Sequence, residues 1–386
     1  MPRTDPNDRP RFVIMLGGVD GAGDGPEALM RRALEASAFD LLETALATGV
    51  YADAVLVSDH PPAAQPPAGA RLVLDDAATP FHFGNQLAAV VAGASRFVYA
   101  GAGAGPLLTA AELTALAAGL EVDPPVCVTN NFYSADLFAL APAALLARVD
   151  PWPPADNGVP RALKEQLGVR VDELPRTTAT QLNLDSPIDL VAISLAVAGG
   201  PRLRALLEQC NLDTARVADA ARRFTDRHAE VLVAGRAGSR AWQYLERETA
   251  CRVRLLAEER GMTAAGRDAD GSARSILGQL IEVAGPDRTF TELVPELCDA
   301  AFIDIRPALA HLRLQPSRHD RFAADLLQPD AIEDPTLRAI VEAVIASPVP
   351  IVLGGHSLVG GALMLLNDWT WDEHDRLAGP ATGSTG

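Results

Sequence analysis

The run Phe12-Val13-Ile14-Met15-Leu16 breaks off at Gly17-Gly18-Val19-Asp20-Gly21-Ala22-Gly23-Asp24-Gly25, and Pro26 then opens a Leu- and Ala-rich stretch to about Thr48. A short continuous apolar run, rather than an alternating one, is the pattern of a strand buried on both faces. A helix straight after it implies a parallel sheet, because the chain must cross over before the next parallel strand. The unit recurs. Residues 54–57, 71–74, 97–100 and 125–129 predict further strands, with helices near 85–92 and 110–119. Such alternation predicts an α/β fold, a mostly parallel sheet with helices on both faces.

The Asp185-Ser186-Pro187 sequence reads as a helix start, with a capping side chain and proline just inside. Gly199-Gly200-Pro201 ends that helix, and two more are expected at about 202–210 and 213–227. A second alternating region follows: strand 231–234, a Gly235–Ser239 turn and a helix, then strands 252–256 and 350–353. The expected organisation is therefore a disordered segment at 1–10, a first domain at 11–200 and a helical connector at 201–228. A helix-rich α/β domain at 229–376 and a flexible tail at 377–386 complete it.

Charge narrows the partners. With 33 basic and 50 acidic residues the formal charge is −17, which argues against nucleic acid or anionic lipid held by bulk charge. No apolar run approaches the roughly 18–20 residues that span a bilayer, and the first residues lack an apolar signal-peptide core. The four cysteines, Cys127, Cys210, Cys251 and Cys298, show no CxxC pairing, which fits neither a zinc site nor a disulfide framework. The expectation is a cytoplasmic protein. Lys164 is the sole lysine, so any chemistry that needs one has a single candidate.

Four segments in order resemble nucleotidyltransferases of the GT-A (Rossmann-like) fold, among them the molybdenum-cofactor guanylyl- and cytidylyltransferases and the sugar-phosphate nucleotidyltransferases. They are the strand ending in Leu16-Gly17-Gly18 with its glycine-rich loop, Tyr99–Thr109 (YAGAGAGPLLT), Pro125–Asn131 (PVCVTNN) and Leu182–Leu190 (LNLDSPIDL). The resemblance covers about residues 11–198. It implies a nucleoside triphosphate or nucleotide sugar at Leu16, Gly17, Gly18, Gly21, Gly23, Gly103 and Pro106, with Mg²⁺ held by Asp185 as the catalytic and metal aspartate. It also implies transfer of NMP to a phosphorylated small molecule or cofactor precursor. Independently, a glycine-rich turn before a helix exposes N–H groups that attract phosphate. The chain departs from the pattern in two places. Ala104 stands where the family's Asp-x-Pro aspartate belongs, and the loop carries Asp20 and Asp24 but no basic residue. A ligand-binding or assembly module that has lost catalysis on the same fold is thus the alternative.

In the second domain Gly355-His356-Ser357-Leu358-Val359-Gly360-Gly361 looks like the nucleophile elbow of α/β-hydrolases, which makes a serine hydrolase through Ser357 the second alternative. Val359 occupies the place of the elbow's glycine, and only 29 residues follow Ser357. Arg236, Asp304, Arg306, His311, Arg318, His319, Arg321 and His356 are candidates for an anion site, since guanidinium groups bind phosphate or carboxylate in a bidentate fork.

Overall fold

The computed structural model describes residues 9–378, apart from residues 20, 22, 77–79, 123 and 154. The segments expected to be disordered or flexible, 1–10 and 377–386, fall mostly outside the described residues.

Eleven strands are formed among the described residues: β1 Arg11–Leu16, β2 Asp53–Ser58, β3 Ala70–Leu74, β4 Phe97–Gly101, β5 Val126–Thr129, β6 Leu137–Ala141, β7 Arg170–Glu173, β8 Glu230–Gly235, β9 Arg252–Ala257, β10 Ala300–Asp304 and β11 Ile351–Gly354. The first seven make one sheet in the order β3-β2-β1-β4-β6-β5-β7, and the last four make a second in the order β11-β10-β8-β9. The expected α/β class with a mostly parallel sheet is what the chain adopts. β6 alone runs antiparallel, against both β4 and β5.

Contacts divide the chain into two compact units. The first holds residues up to 20, 31–183 and 199–206; the second holds 21–30, 184–198 and 207 onward. Residues 184–198, with the helix Pro187–Ala196, therefore belong to the second unit by contact. So do Gly21, Gly23 and the first turn of the helix Pro26–Thr48.

In the first unit the apolar runs of β1, β2, β4 and β6 are buried along nearly their whole length. Val13, Val55, Phe97 and Phe138 pack with Phe83 and Leu87 from the helix Phe83–Val90. Edge-on aromatic pairs, Phe83–Tyr99 at 5.3 Å and Phe97–Phe138 at 6.0 Å, add roughly 0.5–1.5 kcal/mol each beyond their area. The second unit buries Leu232, Ala301, Ile303, Ile351 and Leu353 of its sheet against Phe290, Ile340 and Val344.

A carboxylate fixes one helix end. Asp40 accepts hydrogen bonds from the N–H groups of Arg202 and Leu203, both at 3.0 Å, and so caps the helix Pro201–Cys210 from outside. Burial pushes its carboxyl pKa up, against those two bonds. Asp40→Ala should cost about 1–2 kcal/mol, the scale of a lost cap. Urea denaturation measures it, and a loss below about 0.3 kcal/mol would show the cap to be idle.

Candidate functional site

Open α/β sheets bind ligands beyond the carboxyl ends of their strands, at the point where strand order reverses. Each sheet has one such point, and each carries a polar constellation.

In the first unit the reversal lies between β1 and β4, which pair in parallel with Met15 opposite Gly101. Leu16, Gly17 and Gly18 leave β1 there, and the turn bearing Gly103, Ala104 and Pro106 leaves β4 on the same edge. Ala102 N–H donates to Met15 C=O at 3.0 Å and ties the two exits together. Gly18 takes a left-handed φ of +78°, which a side chain would resist. Its N–H donates to Asp59 Oδ2 at 2.9 Å. Asp59 follows β2, and its other oxygen receives Arg31 Nη1 at 2.5 Å. Arg31 reaches Ser58 Oγ as well, at 3.0 Å. Burial raises the Asp59 carboxyl, but Arg31, the Gly18 N–H and His60 outweigh it and hold the pKa below the usual range. Asp75, just past β3, is raised by burial and then by the Asp59 charge, and accepts Gln86 Nε2 at 2.7 Å.

One backbone N–H and one guanidinium thus converge on a single carboxylate at the switch point. Gly21 and Gly23 are grouped instead with the second unit, where Gly25 lies against the ring of His319. Ala104 makes a β-bridge to Asn183, so that position offers backbone and no carboxylate.

The reversal in the second unit lies between β8 and β10. Arg236 follows β8 and is bound by Asp304 at the end of β10 through Nε at 2.6 Å, Nη2 at 3.1 Å and its own N–H at 3.2 Å. Gly235 makes this approach possible: a Cβ there would stand 2.4 Å from the Asp304 Cβ. Arg306, just past the end of β10, donates Nη2 to Asp325 at 2.6 Å. Burial pushes the Asp325 carboxyl up to about 6, against the pull of Arg306.

β11 ends at the Gly355-His356-Ser357 turn. His356 Nε2 lies 3.2 Å from Asp185 Oδ2. Asp189 accepts the N–H groups of Asp185 and Ser186, both at 2.9 Å, and its carboxyl also takes the Ser357 hydroxyl. Burial, and then the Asp185 charge, hold Asp189 far above the ordinary carboxylate range. Ser357 is 3% exposed. A buried hydroxyl committed to a carboxyl suits turn-holding better than attack on a substrate from solvent.

Arg236, Asp304, Arg306 and His356 are therefore brought together with Asp185. Arg321 lies close enough to Arg306 and Arg318 for burial and their charges to lower its pKa, and Arg306 Nη2 reaches its carbonyl oxygen. His311 goes elsewhere. Its Nδ1 accepts Ser275 N–H at 3.2 Å, and it packs on Gly278 of the helix Ile276–Ala284.

Sequence reading passed over Arg31, Asp59, Asp189 and Asp325. The available signal was position: Asp59 directly follows a strand, and Arg31 lies on the first turns of the helix after the glycine loop.

The fit to Mg²⁺ is limited. Among the described residues no group of three or more His, Cys, Asp or Glu side chains is placed to hold a metal ion. Asp185, the expected ligand, shares an oxygen with His356. These residues do not by themselves build a Mg²⁺ site.

No protein-family profile and no curated protein matches the chain. Matching solved structures include a homolog of the Mycobacterium tuberculosis protein rv0371c from Mycobacterium sp. strain JC1, at 17% identity and TM-score 0.33 over 53% of this chain and 99% of that one. Another, from Desulfovibrio desulfuricans G20, is described as a nucleotide-diphospho-sugar transferase, with 13% identity and TM-score 0.35 over 53% of this chain and 99% of that one. A third is a CMP:2-keto-3-deoxy-manno-octonic acid synthetase complexed with CTP, with 14% identity and TM-score 0.33 over 52% of this chain and 98% of that one. The first unit itself is built on a mostly parallel seven-stranded sheet. Among the described residues no single helix is long and apolar enough to cross a membrane.

Proposed function

We propose that the first unit binds a nucleoside triphosphate or nucleotide sugar at the β1/β4 edge, as nucleotidyltransferases do. The observation that supports this reading is the convergence of Gly18 N–H and Arg31 on the Asp59 carboxylate at the switch point. Phosphate oxygens offer the same acceptors as a carboxylate, so a phosphate that displaces Asp59 inherits both donors. Arg31 then supplies the positive charge that the glycine loop lacks. In the transfer reaction an acceptor phosphate oxygen attacks the α-phosphorus, the bond to the β-phosphate breaks and pyrophosphate leaves. Mg²⁺ enters this reading as the counter-ion of the nucleotide's phosphates.

A second reading, nucleotide binding without transfer, is favoured by Ala104 at the expected aspartate position. One set of measurements separates the two. Thermal shifts with the four NTPs and UDP-glucose, with and without Mg²⁺, report binding: a ligand at 100 times its Kd stabilises by about 2.7 kcal/mol. Asp59→Ala should tighten nucleotide binding severalfold by removing the competing anion, and Arg31→Ala should weaken it about tenfold or more. Pyrophosphate release then divides transfer from binding alone. A panel in which no nucleotide shifts the protein, or in which Arg31→Ala binds unchanged, rejects the site.

A further inference from the structure

In the first unit β4 and β5 both pair antiparallel with β6, so they run the same way and share a carboxyl edge. Ligands gather at that edge in open α/β sheets. The connection 130–136 leaves β5 there, and Gly101 N–H at the end of β4 donates to the Asp136 carbonyl at 2.8 Å. Its backbone is firmly held. Phe132 N–H donates to Glu173 Oε1 at 2.9 Å, Tyr133 N–H to Asn131 Oδ1 at 3.0 Å, and Ala135 N–H to the Asn157 carbonyl at 3.2 Å.

On this fixed backbone Tyr133 is 73% exposed, whereas Tyr51 and Tyr99 are exposed by only 5% and 3%. Its ring stands edge-on to that of Phe132, with the centroids 4.8 Å apart. Lys164, from the helix Val159–Leu167, places Nζ 5.1 Å from the same Phe132 centroid. The sole lysine of the chain is exposed and forms no ion pair among the described residues, although the sequence holds 50 acidic ones. An open aromatic face beside an ammonium without a counter-charge matches a flat ring that bears an anionic group.

We infer that Tyr133, Phe132 and Lys164 form a binding site for a small molecule with a flat aromatic ring and a phosphate, the ring stacking on Tyr133 and the phosphate meeting Lys164 Nζ. The site stands apart from Gly18 and Arg31 and does not require the nucleotide reading. Pyridoxine 5′-phosphate, pyridoxine and methyl phosphate test it, titrated calorimetrically into the full chain. The first carries ring and phosphate, and should bind about tenfold or more tightly than either of the others. Lys164→Gln should bring it down to the level of pyridoxine and leave pyridoxine unchanged. Tyr133→Ala should weaken pyridoxine 5′-phosphate and pyridoxine alike, by about tenfold. Both side chains are exposed, so neither variant disturbs the core. Arg31→Ala should leave all three affinities as they are. Loss of pyridoxine 5′-phosphate binding in Arg31→Ala would place the probe at the β1/β4 edge and overturn the inference. So would equal affinity for the phosphorylated and unphosphorylated rings, or no binding by the folded protein in millimolar titration.

Discussion

Asp304→Ala should lose about 3–5 kcal/mol of folding stability, the cost of stripping one partner from a buried ion pair. Asp304 is 1% exposed and gathers four donors: Arg236 Nε, Nη2 and N–H, and the N–H of Arg306. Alanine leaves the Arg236 guanidinium largely out of water with no counter-charge. The pair is a different matter from its members, because replacing both charges with apolar groups of similar size is often close to neutral. The double variant Arg236→Met/Asp304→Leu should therefore recover much of the loss. Urea denaturation of the parent, both single variants and the double variant gives the coupling. A loss under 1 kcal/mol for Asp304→Ala would mean that water reaches the switch point of the second sheet.

Lowering the pH from 7.5 to 4 should stabilise the parent protein relative to Asp325→Asn by roughly 2 kcal/mol. The sign follows from the proton balance. The Asp325 carboxyl titrates at about 6 in the folded chain against 3.8 in the reference state. Between those values the folded state binds more protons than the unfolded one, so stability falls as pH rises through the window. A gap of about two pKa units converts to roughly 3 kcal/mol below both values, of which roughly 2 is reached by pH 4. Other carboxyls titrate as well: Asp59 and Asp320 are held low and pull the opposite way. Subtracting the Asp325→Asn curve removes them. A flat difference, or one that grows with pH, would place the Asp325 carboxyl in a wetter setting than its 2% exposure indicates.

Runs such as Phe12–Leu16 and Val231–Ala234 were legible because a strand buried on both faces must be apolar throughout. β6 and β7 were not. Leu137–Ala141 is followed by Pro142 and another Ala- and Leu-rich stretch, so composition alone does not set it apart as a strand, and Arg170–Glu173 is four mostly polar residues at a sheet edge. The same divide runs through the sites. Gly18, Arg236, Asp304 and His356 could be picked out because they sit where strands end. Their partners could not. Asp59 meets Gly18 across 41 residues of chain, and Asp304 meets Arg236 across 68. That pairing changes the meaning of the arginine, from an anion-binding candidate to half of an internal ion pair. His311 shows the converse: histidine is versatile enough to look functional, and here it accepts a helix-start N–H.

The grouping of residues 184–198 with the later chain bears on how such a protein could be taken apart. A gene cut once near residue 200, the usual place to divide two domains by sequence, would leave the helix Pro187–Ala196 on the wrong fragment. Ile188 packs against Gly354 at the end of β11, and a Cβ on that glycine would lie 2.6 Å from its methyl group. The second fragment would lose a wall of its own core, and the first would carry an apolar helix without its cover. Recombination or truncation at one breakpoint would therefore yield two sticky halves. Two units that share a polypeptide in this interleaved way are inherited, expressed and lost together.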